Sequence, residues 1–204
     1  NIFPWSASDG GRSFFAIASG LCGLVVAGYP GVLLGRHKAR PFWNGPGIMV
    51  LFFLSSLLTG AAAHLLCALF VFPSVVDAMS SILRSTAVML ALQLLFWPLY
   101  LWIKQTGATD REAKTAQKWV KGDKSLLFWG GLVLIGSLVP VVIIGFGTAI
   151  TIALAAIMAI GGGILMRLLV VYSGGDRTWL PGEEVYRARL PGGEEAFLKA
   201  WMKE

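Results

Sequence analysis

Charge is scarce in this chain of 204 residues: Asp, Glu, Lys and Arg together make up 14%, too few to coat a soluble domain of that length. Histidine and cysteine are scarcer, at two residues each. His37 lies between apolar runs and His64 inside one, so the membrane interior holds one imidazole and not the facing pair that a haem b site in a helical bundle needs. Cys22 and Cys67 fall in different apolar runs, with no C-x-x-C grouping for an iron–sulfur cluster or a zinc ion. Both are expected to be ordinary buried thiols. There is no glycine-rich phosphate loop after a strand, no H-E-x-x-H and no nucleophile beside a base, which argues against independent hydrolytic or nucleotide chemistry. The chain is expected to carry no metal or haem of its own.

What the sequence has in quantity is apolar length. Hydrophobic residues reach 56% and mean hydropathy is +0.71, values that place the chain in a lipid bilayer. The net charge of +6 raises the question of nucleic acid. The basic residues, however, sit in short loops and a tail and form no single exposed stripe, so no nucleic-acid partner is expected.

A helix crosses the hydrocarbon layer with about 20 mostly apolar residues. Five stretches qualify: 13 to 35, 46 to 72, 84 to 103, 125 to 144 and 148 to 172. The expected fold is an all-α integral membrane protein, a bundle of five transmembrane helices over residues 1–172, followed by a polar tail, 173–204, long enough to clasp a partner subunit. Pro98 falls inside the third span, where neighbouring helices can satisfy the freed carbonyl. Little more than "GFGT" separates the fourth and fifth spans, which predicts a tight antiparallel hairpin. "GGLVLIGSL" and "AIGGGIL" supply the small residues that let helices approach closely in lipid.

Of the 17 Lys and Arg residues, only Arg12 and Arg84 fall on one side of the spans. The rest gather in the first loop, the third loop and the tail. By the positive-inside rule the N-terminus is outside and the C-terminus cytoplasmic, in the cell's inner (plasma) membrane. The third loop, 104 to 124, contains "TDREAKTAQKWVKG", in which Thr109 and Glu112 have the spacing of a capping box. It predicts a short surface helix, with Trp119 at the headgroup level. The first residue is Asn1, and "NIFPWSASDGG" lacks the pattern of a signal peptide, so the chain reads as a fragment, a processed product or part of something longer.

Polar residues within spans are costly and face a cavity or another helix. In the second span Ser56, Thr59, Gly60, Ala63, His64 and Cys67 recur at three- and four-residue steps and share one helical face. That stripe reads either as close helix packing or as the wall of a site for a polar-headed lipophile or a proton path. Tyr29, beside Pro30 near the inner end of the first span, reads as an interfacial anchor or as a hydrogen-bond donor to a quinone carbonyl. Arg167 either snorkels to the nearby interface or holds a carboxylate or a proton. Gln93, mid-span in the third helix, is expected to make an interhelical hydrogen bond. Both are candidates for a proton path.

The run "AGYPGVLLGRHKARPFWNGPGIMVLFFLSSLLTGAAAHLL" resembles the NrfD/PsrC family, the membrane-anchoring, quinone-interacting subunits of polysulfide-reductase-type oxidoreductases. A Tyr-Pro-Gly late in one helix, a basic loop ending in "ARPFWN" and a following helix with "SSLLTG" carry the resemblance, and "GGGILMRLLVVYSGG" resembles the family's last helix. The resemblance implies a quinone site at Tyr29, with His64 and Thr59 as further candidates, for menaquinone or ubiquinone. It implies that Arg36, His37, Lys38, Arg40, Trp43 and Asn44 form a docking surface for an iron–sulfur subunit, with a molybdenum-type catalytic subunit beyond. Family members have eight or more helices and the likeness starts at the fourth, so another chain or segment is expected to supply the earlier helices. The best-known members dock their partners outside the cytoplasm, whereas the charge bias here puts the basic loops inside. A second reading, from another class, is a transporter or proton-channel subunit whose path is lined by the polar face around His64. It predicts an internal repeat, and none is evident.

Overall fold

The computed structural model describes residues 9–36, 40, 42–71, 79–106 and 110–175. Lipid offers the backbone no hydrogen bonds, so apolar runs of this length close all their N–H and C=O groups within helices. Among the described residues five helices are long and apolar enough to cross a membrane. They are α1 (Asp9–Gly35), α2 (Pro46–Val71), α3 (Ser80–Thr106), a π-helical segment (Leu127–Leu138) that continues into α5 (Val139–Ile144), and α6 (Ala149–Tyr172). A short amphipathic helix, α4 (Asp110–Val120), precedes the π-helical segment. The tail from 176 onward, His37, Lys38 and the expected cap residue Thr109 lie outside the described residues.

The third helix extends beyond its expected bounds at both ends and runs unbroken through Pro98. The loop between the last two spans turns at Gly147, whose φ of +68° is a left-handed conformation that favours glycine. Thr148 then caps α6 in a reciprocal box with Thr151, which satisfies two of the N–H groups that a helix start leaves open.

α2 lies between α1 on one side and α3 and α6 on the other, and α6 packs in turn on the π-helical segment and α5. Glycine sets the closest approach. A Cβ on Gly136 would lie 2.7 Å from the Gly162 Cα, so these two backbones touch at positions where no side chain fits. The π-helical geometry was not expected from the sequence. Its hydrogen bonds reach one residue further than in an α-helix, as Val139 N–H to Leu134 O shows, and the wider turn is a form often found at functional sites.

One end of the bundle is sealed by aromatic rings. Phe42, Trp97, Trp119 and Phe128 are all buried, and the Trp119 ring centroid lies 5.2 Å from Trp97, 5.3 Å from Phe42 and 5.6 Å from Phe128. Trp119 is therefore not the headgroup-level anchor that the sequence suggested. α4 folds back onto the bundle and drives this side chain inward, leaving Lys114, Gln117 and Lys118 exposed. Its indole N–H donates to Ser173 Oγ at 2.7 Å, which supplies the buried partner that an indole needs.

Candidate functional site

The loop after α1 is held by its own side chains. Trp43 is buried, and its indole donates to Val170 O at 2.8 Å. Arg40 donates to Gly174 O and places its guanidinium 4.5 Å from the Trp43 ring centroid. Tyr100 donates to Phe42 O, and Lys104 Nζ donates to Asn44 O at 2.6 Å while standing 3.6 Å from Glu112. The "RPFWN" junction is thus a structural latch that joins α3, α4 and the end of α6. Of the six residues expected at the docking surface, Arg36 and Asn44 are exposed, Arg40 is half-buried and Trp43 is turned inward. Trp43 offers no surface to a partner; its part is to fix the loop. Lys114, Lys118 and Lys121, none of them among the expected docking residues, are exposed at the same end. Their place on the short helix and its following turn is a charge signal that the sequence reading counted for orientation only.

Tyr29 is 63% exposed. α1 turns Gly28 and Gly31 toward α2, and the position one hundred degrees further round the helix points away from it. Thr59 and His64 share the stripe on α2, but no hydrogen bond joins either to Tyr29 among the described residues. His64 is exposed on the outside of the bundle, with Nδ1 3.3 Å from Gly60 O. Along this stripe Ser56 and Thr59 are half-buried, whereas Gly60, Ala63, His64 and Cys67 are exposed. Cys22 and Cys67 are exposed and not the buried thiols expected.

Arg167 does not snorkel. A helical side chain leans toward the N-terminus of its helix, which here directs it away from the nearby end of α6. Its Nη2 donates to Ser56 Oγ at 3.3 Å and to Thr59 Oγ1 at 3.4 Å. Thr59 stands at the middle of α2, roughly 20 Å from either end at the rise of an α-helix. Ser56 in turn donates to Ala27 O at 3.4 Å, so the cluster sits where α1, α2 and α6 meet.

Gln93 makes the interhelical bond expected of it, from Nε2 to Ser137 Oγ at 3.4 Å, and Ser137 donates to Leu132 O across the wide turn of the π-helical segment. Gln93 Oε1 and Trp97 Nε1 are buried without a hydrogen-bond partner among the described residues. No group of three or more His, Cys, Asp or Glu side chains that could hold a metal occurs among the described residues.

The family described as Polysulphide reductase, NrfD, matches the chain over residues 7–176. No curated protein and no solved structure matches the chain.

Proposed function

The chain belongs to the NrfD polysulphide reductase family, a family of membrane subunits of quinone-linked oxidoreductase complexes, and on that premise we propose that it anchors such a complex and exchanges electrons between the quinone pool and an iron–sulfur subunit. The observation that carries this reading is the position of Tyr29. Its phenol stands on the outward side of α1, about 9 Å along the helix from the basic end, where a lipid-soluble quinone can reach it and a cluster docked on that end lies within tunnelling range. The hydroxyl donates a hydrogen bond to the quinone carbonyl, stabilising the charge that builds there on reduction. The quinone is menaquinone or ubiquinone. Thr59 and His64, on the neighbouring face of α2, are its secondary candidates.

The docking surface of this proposal is the basic end of the bundle: Arg36 and Asn44 from the first loop, with Lys114, Lys118 and Lys121 from α4 and its turn. A molybdenum-type catalytic subunit stands beyond the iron–sulfur subunit. Gln93 and Arg167, each bonded to hydroxyls within the spans, are the candidates for moving protons that accompany the electrons. The proposed setting is the inner membrane, and the charge bias supports a cytoplasmic C-terminus.

The test is gentle purification from membranes, followed by mass spectrometry of everything that accompanies the chain and by optical and EPR spectra of the same sample. Co-purifying iron–sulfur and molybdenum-type subunits with bound quinone are the expected result. A chain recovered without cluster signals or quinone would reject the reading.

A further inference from the structure

Two polar atoms in the interior of the bundle are stranded. Gln93 and Trp97 are each 1% exposed, and neither Gln93 Oε1 nor Trp97 Nε1 has a hydrogen-bond partner among the described residues. Four positions apart on α3, they stand one above the other on a single face of the helix. One is an acceptor and the other a donor. They do not close on each other, because each is pinned elsewhere. The Gln93 amide is held through Nε2 by Ser137 Oγ at 3.4 Å, and the Trp97 ring is wedged among Tyr100, Trp119 and Phe128, with centroids 6.2, 5.2 and 6.0 Å away. Ser55 Oγ is buried without a partner too, but a hydroxyl rotates and can turn to a carbonyl of its own helix. A wedged indole and a tethered amide have no such freedom.

We propose that an internal water molecule is bound between Gln93 and Trp97, accepting from the indole N–H and donating to the amide oxygen. The two partners select the ligand. One donor and one acceptor, both uncharged, match a small neutral molecule that gives and takes hydrogen bonds at once. An ion would be left there without a countercharge. Buried water has this role in proteins, joining polar groups that the chain itself leaves open. Gln93 lies about 20 Å from either end of α3 at the rise of an α-helix, so the molecule is enclosed by the bundle and not shared with the membrane surface. Through it the aromatic end of the bundle is tied to the π-helical segment. Trp97, the water, Gln93, Ser137 and Leu132 O form one chain of hydrogen bonds across the two helices, the last two links being those already present.

The experiment exposes the intact complex in detergent to short X-ray pulses, which turn bound water into hydroxyl radicals, and reads oxidation at each residue by peptide mass spectrometry. The control is Met79, a readily oxidised side chain that is 2% exposed and belongs to the other apolar cluster. Trp97 is expected to be oxidised several-fold more than Met79, and Gln93→Leu, which removes the acceptor, should lower that oxidation several-fold. A high-resolution map of the unaltered complex gives an independent reading, with a peak expected about 2.9 Å from both Trp97 Nε1 and Gln93 Oε1. Oxidation of Trp97 no faster than that of Met79, or unchanged by Gln93→Leu, would overturn the proposal. So would a map in which the amide meets the indole directly, or one with no peak shared by the two atoms. None of these readings involves quinone or turnover, so failure here leaves the electron-transfer reading standing, and the reverse.

Discussion

Arg167 Nη2 lies 3.4 Å from Thr59 Oγ1, tying a cation near the end of α6 to a hydroxyl at the middle of α2. A charge five residues from a helix end commonly reaches out to the headgroups. Here the backward lean of the side chain and two waiting hydroxyls keep it inside.

Because Nη2 bonds to both hydroxyls, Ser56→Ala and Thr59→Val should be non-additive. Each single change leaves the guanidinium one neutral acceptor and should cost about 1 kcal/mol. The double change leaves none and should cost more than the sum. A thermal-stability cycle in detergent measures this, and strict additivity would mean that the two bonds do not share the cation.

Tyr29→Phe removes one hydroxyl from an exposed position and almost no packing volume. Thermal stability and assembly should be unchanged, within about 0.5 kcal/mol, while quinone-linked turnover falls. Normal turnover with normal quinone affinity would reject Tyr29 as the quinone's hydrogen-bond donor.

The basic end gives a separate test of partner docking. Reversing Arg36, Lys114 and Lys121 to Glu should weaken retention of soluble subunits, most strongly at low salt where the charges are least screened, with the bundle's own stability preserved because all three are exposed. Trp43→Phe should do the opposite. It removes the indole bond to Val170 O and lowers stability by about 1 kcal/mol, with retention changed only as far as the loop loosens.

Lys104 and Glu112 stand 3.6 Å apart with side chains 8% and 14% exposed. Removing one charge strands the other, so Lys104→Met should lower stability by up to about 3 kcal/mol. Lys104→Met with Glu112→Gln should recover part of that loss, although the Asn44 carbonyl still lacks its donor. No recovery in the double variant would show that Lys104 acts through Asn44 alone.

Gly136→Ala should destabilise the bundle by about 1–3 kcal/mol, since the added carbon meets the Gly162 backbone. Gly161→Ala is the control, because open space surrounds that position. Unfolding of both variants in detergent should separate them clearly, and equal effects would argue against backbone contact at Gly136.

By itself the sequence determined the five helices, among the described residues, that are long and apolar enough to cross a membrane. It did so because an unbroken apolar run of about 20 residues has one way to satisfy its backbone in lipid. It also determined the family, through "GYPG", "ARPFWN" and the last helix, and the pairing of Gln93 across helices, because a buried amide demands a partner. Tertiary structure decided which way each side chain faces. In a soluble helix an apolar stripe marks the core, but in a membrane the outside is apolar too, so periodicity does not separate Tyr29, turned outward, from Trp43 and Trp119, turned inward. The π-helical turn around Ser137, the latch through Trp43 and Lys104, and the reach of Arg167 to mid-depth each depend on contacts between segments far apart in the chain. Spacing along one helix carries no record of them.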